Sequence, residues 1–250
     1  MQEALDTLFL SKGDTAKLRG QWGWADTATH GRIGRFATWH LKQHQYYKDS
    51  EIVDEHFARV LTFMARLAQV APLRHVSMFP NQRTPVLIYS DASWEPGKVN
   101  RVGWIVQTDL ECIGYTMAID DTVMASWCQR KTQIVMAAAF ALIMVLKTCR
   151  DKLRGRDVIW FIDNEAVCAA AIRGSSSAED VQDIVQTSAF MALEIHCRIW
   201  YEWIDSDSNI SDGLSRVGLK CGLANAICSS LVEVPPFEWK GRDHASDFIL

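Results

Sequence analysis

The chain has little of what would set it outside the ordinary globular class. Its seven cysteines, at positions 112, 128, 149, 168, 197, 221 and 228, are odd in number and include no Cys-x-x-Cys pair. That scatter argues against a disulfide framework and against a zinc site, and reads as reduced core residues in a reducing compartment. Neither sign of charge dominates. Thirty acidic residues against 26 basic ones leave a formal charge of -4, so any attraction to nucleic acid must come from a local basic face. The most apolar stretch, Ile134 to Leu146, falls short of the about 20 residues that cross a bilayer. The opening MQEALDTLFLSKGD carries Glu3 and no basic segment followed by an apolar one, so it is no secretory signal. A soluble intracellular protein, nuclear or cytoplasmic and not membrane-bound, is expected. No internal repeat or low-complexity tract is present.

What is present is enough for one sizeable core. At 250 residues, with 48% hydrophobic and 22% charged side chains, the chain can hold a large domain plus an appendage, and it is neither disordered nor collagen-like. Residues 14–47 interleave Trp, His, Arg and Gly. Such a segment suits a surface laid along a nucleic-acid backbone, and equally a small helical unit whose tryptophans are core. Residues 51–70 place Ile52, His56, Val60, Phe63, Leu67 and Val70 at helical spacing. Pro72, Pro80, Asn81 and Pro85 then mark residues 71–85 as a linker. The boundaries expected are a helical segment and linker over 1–84, a domain over 85–220 and a tail over 221–250.

The middle portion carries the periodicity of an α/β domain. Strands are expected at 86–91, 101–108, 112–119, 156–163 and 198–204, and helices at 133–147, 164–173, 177–196 and 209–217. The order β-β-β-α-β-α-α-β-α predicts a mixed five-stranded sheet flanked by helices and preceded by a small helical segment. Three aspartates sit where buried strands end or a helix begins: Asp91 in YSDAS, Asp163 in FIDNEA and Asp212 in SNISDGLSR. Singly, each is as well explained as a turn former or helix cap. Gathered at one sheet edge, they would concentrate negative charge that cations must neutralise, and a pair of Mg²⁺ ions would suit such oxygen ligands.

Together with Gly103-Trp104 and the segment 161–177, these motifs resemble the ribonuclease H-like domain of retroelement reverse-transcriptase polyproteins, in the version carried by DIRS-like elements. Residues 12–35 are similar to the connection segment of the same polyproteins. The resemblance implies metal-dependent hydrolysis of the RNA strand of RNA–DNA hybrids with two Mg²⁺ (or Mn²⁺) ions. Asp91, Asp163 and Asp212 would be the catalytic and metal-binding residues. It also implies Asn164, Ser215 and Arg216 as contacts to nucleic acid, with RNA–DNA hybrid or another nucleic acid as partner.

One member of the implied site is missing. The resemblance calls for a glutamate early in the helix after the third strand, and the alignment puts Ala138 there, on a stripe with Ile134, Ala141 and Val145. A methyl group ligates nothing. The activity is therefore expected to be impaired, and the alternative is a catalytically inactive nucleic-acid-binding remnant of a retroelement polymerase.

Overall fold

The computed structural model describes residues 1–27, 33–70 and 83–236. The described residues form two compact units, one of residues 1–70 with Arg173–Ser175 and one of the remainder from 83 to 236. The expected linker lies almost wholly outside the described residues.

The first unit holds four helices, α1 (Gln2–Thr7), α2 (Lys12–Ala25), α3 (Arg35–Tyr46) and α4 (Glu55–Val70). Ser11 starts α2 by accepting the Asp14 N–H at 3.0 Å. In the same way Asp54 accepts the Phe57 N–H at 2.8 Å, which explains why α4 begins after it and not at 51. Ile52, expected on the apolar stripe, therefore precedes the helix, pairs with Phe9 in an isolated antiparallel bridge and is exposed. The two readings of the tryptophan-rich segment divide between neighbours. Trp22 is core, its Nε1 donating to the Gly34 carbonyl at 2.9 Å, whereas Trp24 is 75% exposed.

The second unit is an α/β domain built on a mixed sheet. Its strands are β1 (Val86–Ser93), β2 (Arg101–Gln107), β3 (Cys112–Ala118), β4 (Asp157–Ile162), β5 (Arg198–Trp203) and β6 (Ser230–Glu233), in spatial order β5-β4-β1-β2-β3-β6. β1, β2 and β3 are antiparallel, while β4 runs parallel to β1, β5 to β4 and β6 to β3. The helices are α5 (Asp121–Ala125), α6 (Ile134–Thr148), α7 (Arg150–Leu153), α8 (Glu165–Arg173), α9 (Glu179–Glu194), α10 (Asp212–Val217) and α11 (Gly222–Ile227).

The sheet has a sixth strand where only five were expected. Residues 221–236 supply α11 and β6 in place of the start of a tail. The Ser229 and Val234 N–H groups donate to the Cys112 and Thr116 carbonyls at 2.7 and 2.8 Å, pairing polar groups that an edge strand would leave open. Four residues are too few for alternation to announce a strand.

Strand alternation divides the burial between two faces. Val102, Trp104 and Val106 point into the large core with Ile88, Trp160 and helix α6, every residue of which from Met136 to Leu146 is buried. Gly103 and Ile105 point the other way, where Ile105 joins a small core with Leu214, Cys221 and Ala224. Among the described residues no helix is long and apolar enough to cross a membrane.

Since Leu142 is fully buried in the large core, Leu142→Ala is expected to lower unfolding free energy by about 2–5 kcal/mol. Urea titration of the two proteins measures it.

Candidate acidic site

The site is assembled by one short helix lying on three strands. Register places Asp91 opposite Gly103, and Gly103 opposite Thr116, so the three form a row across the sheet with side chains on one face. Helix α10 rests on the middle of that row. A Cβ on Gly103 would stand 2.5 Å from the Ser215 nitrogen and 2.7 Å from the Leu214 carbonyl carbon, so only glycine lets the helix backbone come this close.

Six residues make too short a helix to hold itself, and the sheet supplies what its own turns cannot. Thr116 Oγ1 donates to the Leu214 carbonyl at 2.8 Å and Ser93 Oγ to the Ser215 carbonyl at 2.7 Å, satisfying acceptors at the carboxyl end of α10. Upstream, buried Asn209 ties the approach to α10 to the end of β1. Its Nδ2 donates to the Ser90 carbonyl at 3.0 Å, and its Oδ1 accepts from Ser211 Oγ at 2.7 Å.

These contacts bring α10 against Asp91. The Ser215 hydroxyl donates to the Asp91 carboxylate and also lies 2.8 Å from the Asp212 carbonyl. Asp163 follows the last residue of β4, and the pairing of Ser90 with Ile162 sets it beside Asp91. Its backbone carbonyl accepts from Trp203 Nε1 at 3.1 Å. Burial pushes the Asp91 carboxyl up to about 7, with the negative charges of Asp163 and, more weakly, Asp212 adding to the rise; the hydrogen bonds from Ser215 and the Ala92 N–H act against it. Asp91 thus feels the charge of both other aspartates.

They are not, however, arranged as a ligand set. Arg216 Nε sits 2.8 Å from both oxygens of Asp212, and the same guanidinium is attracted to Asp91 and Asp163. Among the described residues, no group of three or more His, Cys, Asp or Glu side chains is placed to hold a metal ion. Ala138 is buried within the large core. Gln133, at the start of α6, is also buried. Its Nε2 donates to the Cys128 carbonyl at 3.0 Å, while its Oε1 has no hydrogen-bond partner. With two carboxylates engaged by Arg216 and Ser215 and no fourth acid, these residues do not fit the pair of Mg²⁺ or Mn²⁺ ions that the sequence resemblance implies.

The residues expected at nucleic acid have other work as well. Ser215 is fully buried behind Asp91 and cannot reach a phosphate from there. Asn164 Oδ1 accepts the Val167 N–H at 3.2 Å and so caps α8. Arg216 remains 67% exposed while paired with Asp212. Ser93, Thr116, Asn209 and Ser211 were given no role in the sequence reading. A polar residue at an inward strand position, as in Thr116, was the available clue, but it needed the register to give it meaning.

Fold and site together define an α/β domain with a self-neutralised acidic cluster at the ends of two adjacent parallel strands. No family model and no curated protein matches the chain. Among solved structures it is similar to ribonuclease H1 from the halophilic archaeon Halobacterium salinarum NRC-1, with 18% identity and a TM-score of 0.40 over 54% of this chain and 96% of that one. It is also similar to the N-terminal ribonuclease H domain of a Mycobacterium tuberculosis protein, with 20% identity and a TM-score of 0.39 over 56% and 96%. A third is LC11-RNase H1, solved in complex with RNA/DNA hybrid, with 16% identity and a TM-score of 0.38 over 50% and 88%. These likenesses concern chain path and assign no residue a role.

Two outcomes follow for the site. Gly103→Ala must push α10 off the strand, with an expected cost of about 1–3 kcal/mol and faster amide exchange in α10, both measurable by hydrogen exchange. Asp91 titrates at about 7 when folded against 3.8 when free, so the native state binds the extra proton within that window. Its contribution is present at low pH and is lost as pH rises from about 3.8 to about 7. Asp91→Asn should therefore raise the melting temperature at pH 8, with the gain fading toward pH 4.

Proposed function

We propose that the α/β unit, residues 85–220 together with the strand β6 that completes its sheet, forms a ribonuclease H-like module that binds RNA–DNA hybrid and in which binding outlasts hydrolysis. The observation that carries this reading is the state of the acidic cluster. The charges of Asp163 and Asp212 reach Asp91, yet Arg216 and Ser215 engage two of the three acids and Ala138 offers no further one. The motif resemblance supports the nucleic-acid partner and an origin in a retroelement polymerase, with residues 1–84 as connection-like segment. In this reading Arg216, exposed beside the cluster, would contact a phosphate.

The test is binding and cleavage measured on one preparation. A fluorescent hybrid is expected to bind with affinity that falls as salt rises. Cleavage in Mg²⁺ or Mn²⁺ is expected to stay at the level of Asp91→Asn. Failure to bind hybrid at low salt removes the reading.

The hydrolytic reading stays in competition because the charges of Asp163 and Asp212 both reach Asp91. Cleavage above the Asp91→Asn background would establish it in place of the binding module. Cleavage appearing only in Ala138→Glu would identify the glutamate as the missing component.

A further inference from the structure

The small core beneath α10 is bordered by three of the seven cysteines, and two of them touch. Cys112, the first residue of β3, and Cys228, just past α11, have sulfurs 3.5 Å apart. Both are half-buried, unlike Cys149, Cys168, Cys197 and Cys221, which are buried. The cysteine pattern reads as reduced core residues throughout, whereas the structure leaves Cys128 exposed and brings Cys112 and Cys228 into contact.

The backbone around the pair is already held in place. Ser229, next to Cys228, donates its N–H and its hydroxyl to the Cys112 carbonyl at 2.7 and 2.8 Å. Ile113 pairs with Ser230 in parallel register. Strands so paired lie roughly 5 Å apart, so two cysteines one step out of register fall within the roughly 4.4–6.8 Å Cα separation that a disulfide spans. The side chains share a face, since a Cβ on Gly114, two residues after Cys112, would stand 3.4 Å from the Cys228 sulfur.

We propose that Cys112 and Cys228 are a reversible modification site, a dithiol that a small disulfide such as oxidised glutathione converts to an intramolecular disulfide. The Cys112 thiolate attacks one glutathione sulfur, and the other glutathione leaves as thiolate and takes up a proton. Cys228 then loses its proton and attacks the Cys112 sulfur of the mixed disulfide, releasing the second glutathione. Two protein thiols lose two electrons, and one oxidised glutathione becomes two reduced molecules. Burial and the adjacent Cys112 hold the Cys228 thiol protonated, so it is assigned as the second nucleophile, whose attack is helped by being intramolecular over a 3.5 Å sulfur separation. Cys221 is otherwise engaged, buried and accepting the Ala224 N–H at 3.4 Å as the cap of α11.

The bond joins positions 116 apart in sequence, and so constrains the unfolded chain over most of the second unit. It also fastens α11 and β6 to β3 beside Leu214, the residue through which α10 enters the small core. The inference does not depend on nucleic-acid binding.

The experiment exposes the full native chain to excess oxidised glutathione, blocks remaining thiols and maps peptides by mass. The expected product has lost two hydrogens, contains a Cys112–Cys228 cross-linked peptide and melts several degrees higher, and dithiothreitol reverses all three changes. Cys112→Ser and Cys228→Ser should lose the oxidation-dependent shift while melting like the reduced wild type. Cys112→Ala and Cys228→Ala repeat the comparison without a buried hydroxyl. A chain that stays fully reduced, stops at a glutathione adduct or links Cys228 to Cys221 overturns the proposal.

Discussion

The close seating of α10 on Gly103 is the contact on which the acidic site depends. Removing one side chain from the middle of β2 lets a helix backbone approach a strand backbone at van der Waals distance, with no Cβ between them. From that approach follow the reach of Thr116 and Ser93 to the helix carbonyls and of Ser215 to Asp91. None of these bonds would form with the helix an ångström farther out. A six-residue element thereby acquires a fixed position that its own hydrogen bonds could not give it.

The seat brings carboxylates together, and like charges in a partly buried place oppose folding. The chain answers with its own groups. Ser215 donates to Asp91, and Arg216 sets a guanidinium against Asp212. The two answers differ in weight. The Asp212–Arg216 pair is largely exposed, and pairs of that kind contribute about 0–1 kcal/mol. The Ser215 contact is buried, where an unmatched polar group costs more. Asp91 itself, holding a proton up to about 7, supplies the remaining neutralisation. The charge of the cluster is thus met in part by the chain's own groups.

The same face of the sheet continues outward to β6. Leu231 of that strand, Leu214 of α10 and the sulfur of Cys228 converge on the space above Gly114, a second glycine whose bareness admits a close neighbour. The small core is therefore closed by segments from opposite ends of the domain sequence. Its rim carries the touching thiols, where a covalent link would bear directly on how firmly α10 is held.

Much of the architecture was legible in the residues themselves. Short runs of β-forming residues located β1 through β5, although β1 runs past Asp91 to Ser93, and the apolar run of α6 declared a buried helix, because such patterns are local properties of the chain. Asp91, Asp163 and Asp212 could be singled out as acids at element ends for the same reason. Other features needed the fold. β6 is too short to show a pattern, and it exists because β3 had an open edge to pair. Thr116, Ser93 and Asn209 became site-building residues only through a register that sets Thr116 two strands from Asp91 and Asn209 beneath Ser90. Likewise Arg216 became the counter-charge of Asp212, Ser215 a buried donor, and Cys112 the neighbour of Cys228. The sequence by itself determined which side chains were available and which elements would carry them. Tertiary structure alone decided which met, because apposition across a sheet depends on strand order and register, and these are set by the whole packed domain.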